Sequence, residues 1–173
     1  MCNSEVFVLI HSRRPLAAVA ALALGVSALA GCQAGQAARV GNERISETTV
    51  STVAAELPRV TGQGASQSSA LANLVLAGAI TQAAGENGMA MSNDDVRAKL
   101  AELGVDASGL SDETLKVAAA SLLNQQITAS PKAAEIGERV NEILTSAEVN
   151  PRYGIDTAAG QPLPKPAWFT SQQ

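Results

Sequence analysis

Hydrophobic and polar positions fall into blocks along the 173-residue chain. The first block, Leu16 to Ala28, is almost purely Ala, Leu and Val, and it follows the basic pair Arg13-Arg14. Gly31 to Ala38 is then small and polar. In RVGNERI, Arg39 to Ile45, the apolar residues Val40 and Ile45 flank Gly41-Asn42, a pair suited to the positive φ of a tight turn. A short strand or hairpin is predicted there. From Ser46 the period changes to that of a helix. Val50, Val53, Ala54 and Leu57 share one face, Ser46 is the N-cap, Glu47 lies in the first turn, and Pro58 discourages continuation past Leu57. Thr61 to Ser69, rich in Gly, Ser and Gln, reads as a loop.

The next block, Ala70 to Asn87, is apolar nearly all round, with Leu71, Leu74, Val75, Leu76, Ile80, Ala83 and Ala84 spread over the wheel. That distribution predicts a central, buried helix. Ala77, Gly78 and Ala79 allow close approach, and Gly85 or Gly88 ends it. A membrane span is the rival reading, opposed by Gln82, Glu86 and the short length. Ser92 with Asp95 resembles a capping box opening a helix whose face is Val96, Leu100 and Leu103, stopped by Gly104. Asp94 and Asp95 read as cap and dipole partners rather than a metal or acid pair. Ser111 caps a helix from Asp112 to about Thr128 with face Leu115, Ala119, Leu122, Leu123 and Ile127, ending in the polar cluster Asn124-Gln125-Gln126. That cluster reads as a solvated helix end or as the lining of a groove. Ser130-Pro131 signals a last helix, with the stripe Ile136, Val140, Ile143 and Leu144 and a solvated face of Glu135, Glu138 and Glu142 beside Arg139. Val149 predicts a short strand returning to the Val40 region. The fold class expected is mainly α: a small helical domain of about five helices with a short β-pairing of the N- and C-terminal segments.

Charge and composition narrow the chemistry. The string Leu29-Ala30-Gly31-Cys32 follows a basic pair and a short apolar run, the layout of a secretion signal. LAGC looks like a lipobox, in which Leu29, Ala30 and Gly31 are recognised by signal peptidase II and Cys32 is lipidated, palmitate being a typical acyl chain. The alternative, a membrane-spanning anchor over Pro15 to Val40, is weakened by the Gly, Gln and Ala of its second half. The expected organisation is therefore a signal peptide over 1–31, a tether over 32–38, a helical domain over 39–154 and a Pro-rich tail over 155–173. Cleavage removes Arg13, Arg14 and Glu5 from 12 basic and 16 acidic residues, leaving 10 and 15 and a net charge of −5. An acidic chain without a basic stripe argues against nucleic acid as a partner. The single histidine, His11, and Cys2 leave with the signal, and Cys32 is consumed by lipid. Ser-His-Asp, Cys-His and His-ligated metal sites are thereby excluded from the mature chain. No cofactor, no metal and no catalytic residue is expected.

The segment RVGNERIS, a helix, and then NLVLAGAITQAAGENGMAMSNDDVRAKLAEL resemble the SurA N-terminal domain family in their order. The closing VNPRYG is similar to that of actinobacterial lipoproteins of this type. The resemblance covers about Ala37 to Gly154. It implies an extracytoplasmic, chaperone-like module that holds non-native polypeptide in a groove between helices. Such modules often precede a parvulin-type isomerase. The stretch after Gly154 is too short for one here, so isomerase activity does not follow, and no family catalytic residue maps onto this sequence.

Two functions are expected to compete. One is a polypeptide-binding lipoprotein on the extracytoplasmic face of the cell membrane, attached through the lipid on Cys32. The other is a structural adaptor that docks one envelope partner through Tyr153, Trp168 and Phe169. The last two either dock on the domain or form a sticky end.

Overall fold

The computed structural model describes residues 35–156 and 161–162. The segment expected to be a signal, with Leu29, Ala30, Gly31 and Cys32, and the tail aromatics Trp168 and Phe169 lie outside the described residues.

Strand β1, Gln36–Val40, turns at Gly41-Asn42 into the antiparallel strand β2, Glu43–Ser46. Val40 pairs with Glu43, which makes the hairpin loop two residues long. Gly41 has φ +56, and a Cβ there would meet the Gln82 carboxamide at 2.5 Å, so the turn needs glycine for both its backbone and its space. Ser46 ends β2 and also caps helix α1, Glu47–Thr61, accepting the Thr49 N–H at 3.0 Å. Strand therefore passes into helix with no loop.

Helix α1 runs past Pro58, where the sequence predicts a stop. Proline sits here in the last turn, so only the ladder bond to the Ala54 carbonyl is lost, and buried Leu57 and half-buried Val60 reward the extra residues. Gly62, at φ +70, closes the helix by donating to the Pro58 carbonyl. Helix α2, Gln67–Glu86, starts at the Ser66 cap, three residues earlier than the apolar run. Helix α3, Asn93–Glu102, has the full capping box of Ser92 and Asp95. Helix α4, Asp112–Thr128, is capped by Ser111.

Helix α5, Ala133–Thr145, begins later than Ser130-Pro131 suggests. The Ser130 hydroxyl is spent on the preceding turn, where it accepts the Lys132 N–H at 3.2 Å. The chain then returns as β3, Glu148–Val149, whose Val149 pairs with Ala38 on the free side of β1. The sheet order is β2-β1-β3, the predicted pairing of the two terminal segments. A 3-10 turn, Pro151–Tyr153, leads to β4, Ile155–Asp156, which pairs with β5, Gln161–Pro162. The described residues thus form a mainly α domain of five helices with a small antiparallel sheet.

α2 is the axis of the larger core, and its burial against four neighbouring elements bears out the all-round apolar pattern. Leu71, Leu74, Val75, Ala79, Ile80 and Ala83 are buried against α1, α4, α5 and β1. Val40 rests on Gly78, where an added Cβ would lie 3.4 Å from the valine methyl. A smaller cluster, Val96, Leu100, Ala107, Leu110, Leu115, Ala118 and Ala119, joins α3 to the outer side of α4. Leu103, predicted to line that face, is instead 68% exposed because it is the C-cap, where the chain leaves the helix.

Two predicted boundaries shift. The tether over 32–38 is too long, because Gln36–Ala38 belong to β1, Ala37 and Ala38 are buried, and the Ala37 carbonyl accepts the Asn150 N–H. The tail expected from 155 also begins too early, because Ile155 is buried in the larger core and pairs in a strand.

Candidate functional site

A groove of about 460 Å³ opens between α2, α4 and α5. Its floor is apolar and buried: Ala77 and Ile80 from α2, Ala120 and Ile127 from α4, and Ile136 from α5. Half-buried Val117 and Val140 face it from the two walls. Leu76 stands in it at 42% exposure, although it belongs to the most buried helix. The rim is polar and uncharged, with Asn73, Ser121, Asn124 and Asn141.

Helical spacing produces this arrangement. Leu76 and Ile80 are four apart, Val117 and Asn124 seven apart, and Ile136 and Val140 four apart, so each set shares a helix face. Gly137 completes the α5 wall, and an added Cβ would touch nothing within 4 Å, which leaves that wall low. The Asn73 amide donates to the Ser69 carbonyl at 3.0 Å, leaving its own oxygen free to accept. Among the described residues, the Asn124 and Asn141 side chains make no hydrogen bond. Each can therefore donate and accept toward a ligand. No lining residue carries a charge. The groove can bury apolar side chains and bond a peptide backbone from its rim, but it holds no acid, base or nucleophile pair.

The charged groups do structural work elsewhere. Arg139 of α5 grips Glu86 of α2 with two hydrogen bonds, 2.7 Å from Nε and 3.1 Å from Nη2, and reaches Glu142 at 3.0 Å. The hydrogen bonds from Arg139, supported by one from Gln82, hold the Glu86 carboxyl at about 2, below its ordinary 4.5. Glu56 of α1 accepts the Ser111 N–H, the Ser111 hydroxyl at 2.6 Å and the Thr114 hydroxyl at 2.6 Å at the start of α4. Burial alone would raise its pKa. These hydrogen bonds and the nearby Arg59 charge outweigh burial and lower it. Lys116 of α4 bonds Glu43 of β2, and this ion pair lifts the ammonium pKa against the opposing effect of burial.

The residues singled out from sequence divide sharply. Tyr153, expected to contact a partner, is 7% exposed and packs in the larger core, its hydroxyl 3.0 Å from Arg152 and its ring beneath that guanidinium. It is unavailable as a docking residue because the 3-10 turn points it inward. Asn124 of the polar cluster does line the groove, whereas Gln125 and Gln126 are exposed helix end. Asp95 serves the capping box and Asp94 pairs with Arg97. The Glu135, Glu138 and Glu142 face is exposed. Among the described residues no cluster of three or more His, Cys, Asp or Glu could hold a metal ion. No described helix is long and apolar enough to cross a membrane.

Leu76, Val117, Val140, Asn73 and Asn141 were not singled out together from sequence. The one available signal is the all-round apolar pattern of α2, which leaves Leu76 exposed although the helix packs against α1, α4, α5 and β1. Comparison with protein-family models, curated proteins and solved structures found no match.

Proposed function

We propose that this chain is a lipid-anchored, extracytoplasmic module that holds non-native polypeptide in the groove between α2, α4 and α5. The observation that carries the reading is the groove itself, an uncharged apolar trough rimmed by carboxamides. Such a lining takes apolar side chains without demanding a sequence, and its rim bonds main-chain amides that every client presents. The resemblance to the SurA N-terminal domain family supports the same reading, as does the LAGC motif, which would place the module outside the cytoplasm on the membrane.

Anchoring follows from the lipid chemistry. One acyl chain holds a protein only marginally, and lipobox processing supplies at least two. Cys32→Ser should leave the chain uncleaved or release it from the membrane, as read by fractionation and mobility. Unchanged retention and mobility would overturn the anchor.

Holding is tested with a soluble form that starts after Cys32. At several-fold excess it should slow aggregation of a denatured client, and Leu76→Glu should abolish the effect with helicity intact. Equal protection by both forms would remove the groove from the function. Crosslinking in the native membrane should give many clients, and a single dominant partner would favour an adaptor.

A further inference from the structure

One stretch of this chain matches the groove in its chemistry. Beyond the leader the sequence holds three aromatic residues, Tyr153, Trp168 and Phe169. Tyr153 is buried in the core. Trp168 and Phe169 stand in a run, Pro166 to Gln173, that has no charged residue. The groove lining is likewise uncharged. Seating that run would desolvate no ion, whereas a charged segment would lose its hydration without compensation.

Reach allows it. β5 ends at Pro162 and lies against α2, the helix that floors the groove. Trp168 lies six positions beyond Pro162, an extended span of up to about 20 Å. A helix with its side chains is about 10–12 Å across. The span thus exceeds the width of α2. Pro162, Pro164 and Pro166 bias the connecting backbone toward an extended form, which lowers the ordering cost of docking. Prolines also present carbonyls without N–H groups, so they ask only for donors, and the amides of Asn124 and Asn141 are unspent.

We propose that Trp168 and Phe169 of the C-terminal segment seat in the α2/α4/α5 groove, making that segment the groove's own occupant. A tethered occupant is present at roughly millimolar effective concentration, so even weak docking fills the site. Competition between this segment and a client rests on the polypeptide-holding reading; the docking itself does not.

Trp168 is the single tryptophan of the chain, so its emission reports the segment directly. In the full chain, extracted in detergent micelles, its band should be blue-shifted and shielded from acrylamide. Leu76→Glu, which puts a charge in the groove, should shift the band to the red and restore quenching. Gly137→Leu, which fills the groove from a position with open space, should do the same and serves if the first variant loses helicity. A solvent-like band in the unaltered chain overturns the proposal. So does a blue-shifted band that neither variant moves, since the indole then sits in lipid or elsewhere on the domain. Client holding by Trp168→Ala/Phe169→Ala is read separately by aggregation, and a gain there tests the polypeptide site, not the docking.

Discussion

Helices α1 to α4 each begin at a serine whose hydroxyl accepts the N–H three residues on: Ser46, Ser66, Ser92 and Ser111. Helix α5 begins at Lys132 with no side-chain cap. α2 buries ten residues and α5 two, Ile136 and Ile143. α5 also carries the exposed Gly137 in its interior, a residue that weakens helices. What holds α5 is one apolar stripe and the Arg139 grip on Glu86. The groove therefore has two firm sides, α2 and α4, and one yielding side. Local stability follows buried apolar contact and satisfied ends, so α5 is the least firmly held wall.

The largest effect should come from the firm side. Leu71→Ala, at a fully buried position of α2, should cost about 2–5 kcal/mol and shift the whole denaturation curve. A shift confined to α5 signals would erase the contrast between the two walls. Ser111→Ala should cost about 0.5–2 kcal/mol, because it removes both a helix cap and the hydroxyl donor on Glu56. Only the hydroxyl is lost, so the Ser111 N–H still reaches Glu56, and urea midpoints will show the partial loss. Gly137→Ala should stabilise by about 0.5–1 kcal/mol, with slower amide exchange in α5 and an unchanged m-value.

The smallest effect is electrostatic. Glu86 is depressed in the folded state, so its contribution is complete above its ordinary value of 4.5 and is lost as pH falls toward about 2. The thermal midpoint should drop through that window, and Arg139→Gln should flatten the drop. The pair is exposed, so salt should weaken it in the same direction. An Arg139→Gln profile identical to the parent's would show that the grip does not hold α5.

Much of the fold was legible because its determinants are local. Ser92 with Asp95, Ser111 before an apolar stripe, and Gly41-Asn42 between Val40 and Ile45 each act within a few residues. The groove was not legible, because its lining comes from three helices whose packing order no local period encodes. Glu86 and Arg139 lie 53 positions apart, and Glu56 and Ser111 lie 55 apart. Pro58 misled because a helix-breaker costs little in a final turn. Tyr153 misled because a rare aromatic near a chain end looks like a contact residue, while the 3-10 turn that inverts it depends on the Asn150 side chain accepting the Arg152 N–H.

The early start of β1 has a consequence for where the molecule can work. Gly35 is already fastened, its carbonyl accepting the Glu47 N–H at 2.8 Å. With acyl chains on Cys32, as proposed, only three peptide steps of slack remain, about 10 Å at full stretch. So short a leash would keep the domain down among the headgroups and would give it no working radius into the surrounding space. It would gather chains as they emerge at the bilayer surface, and those that have already diffused away would pass beyond its grasp.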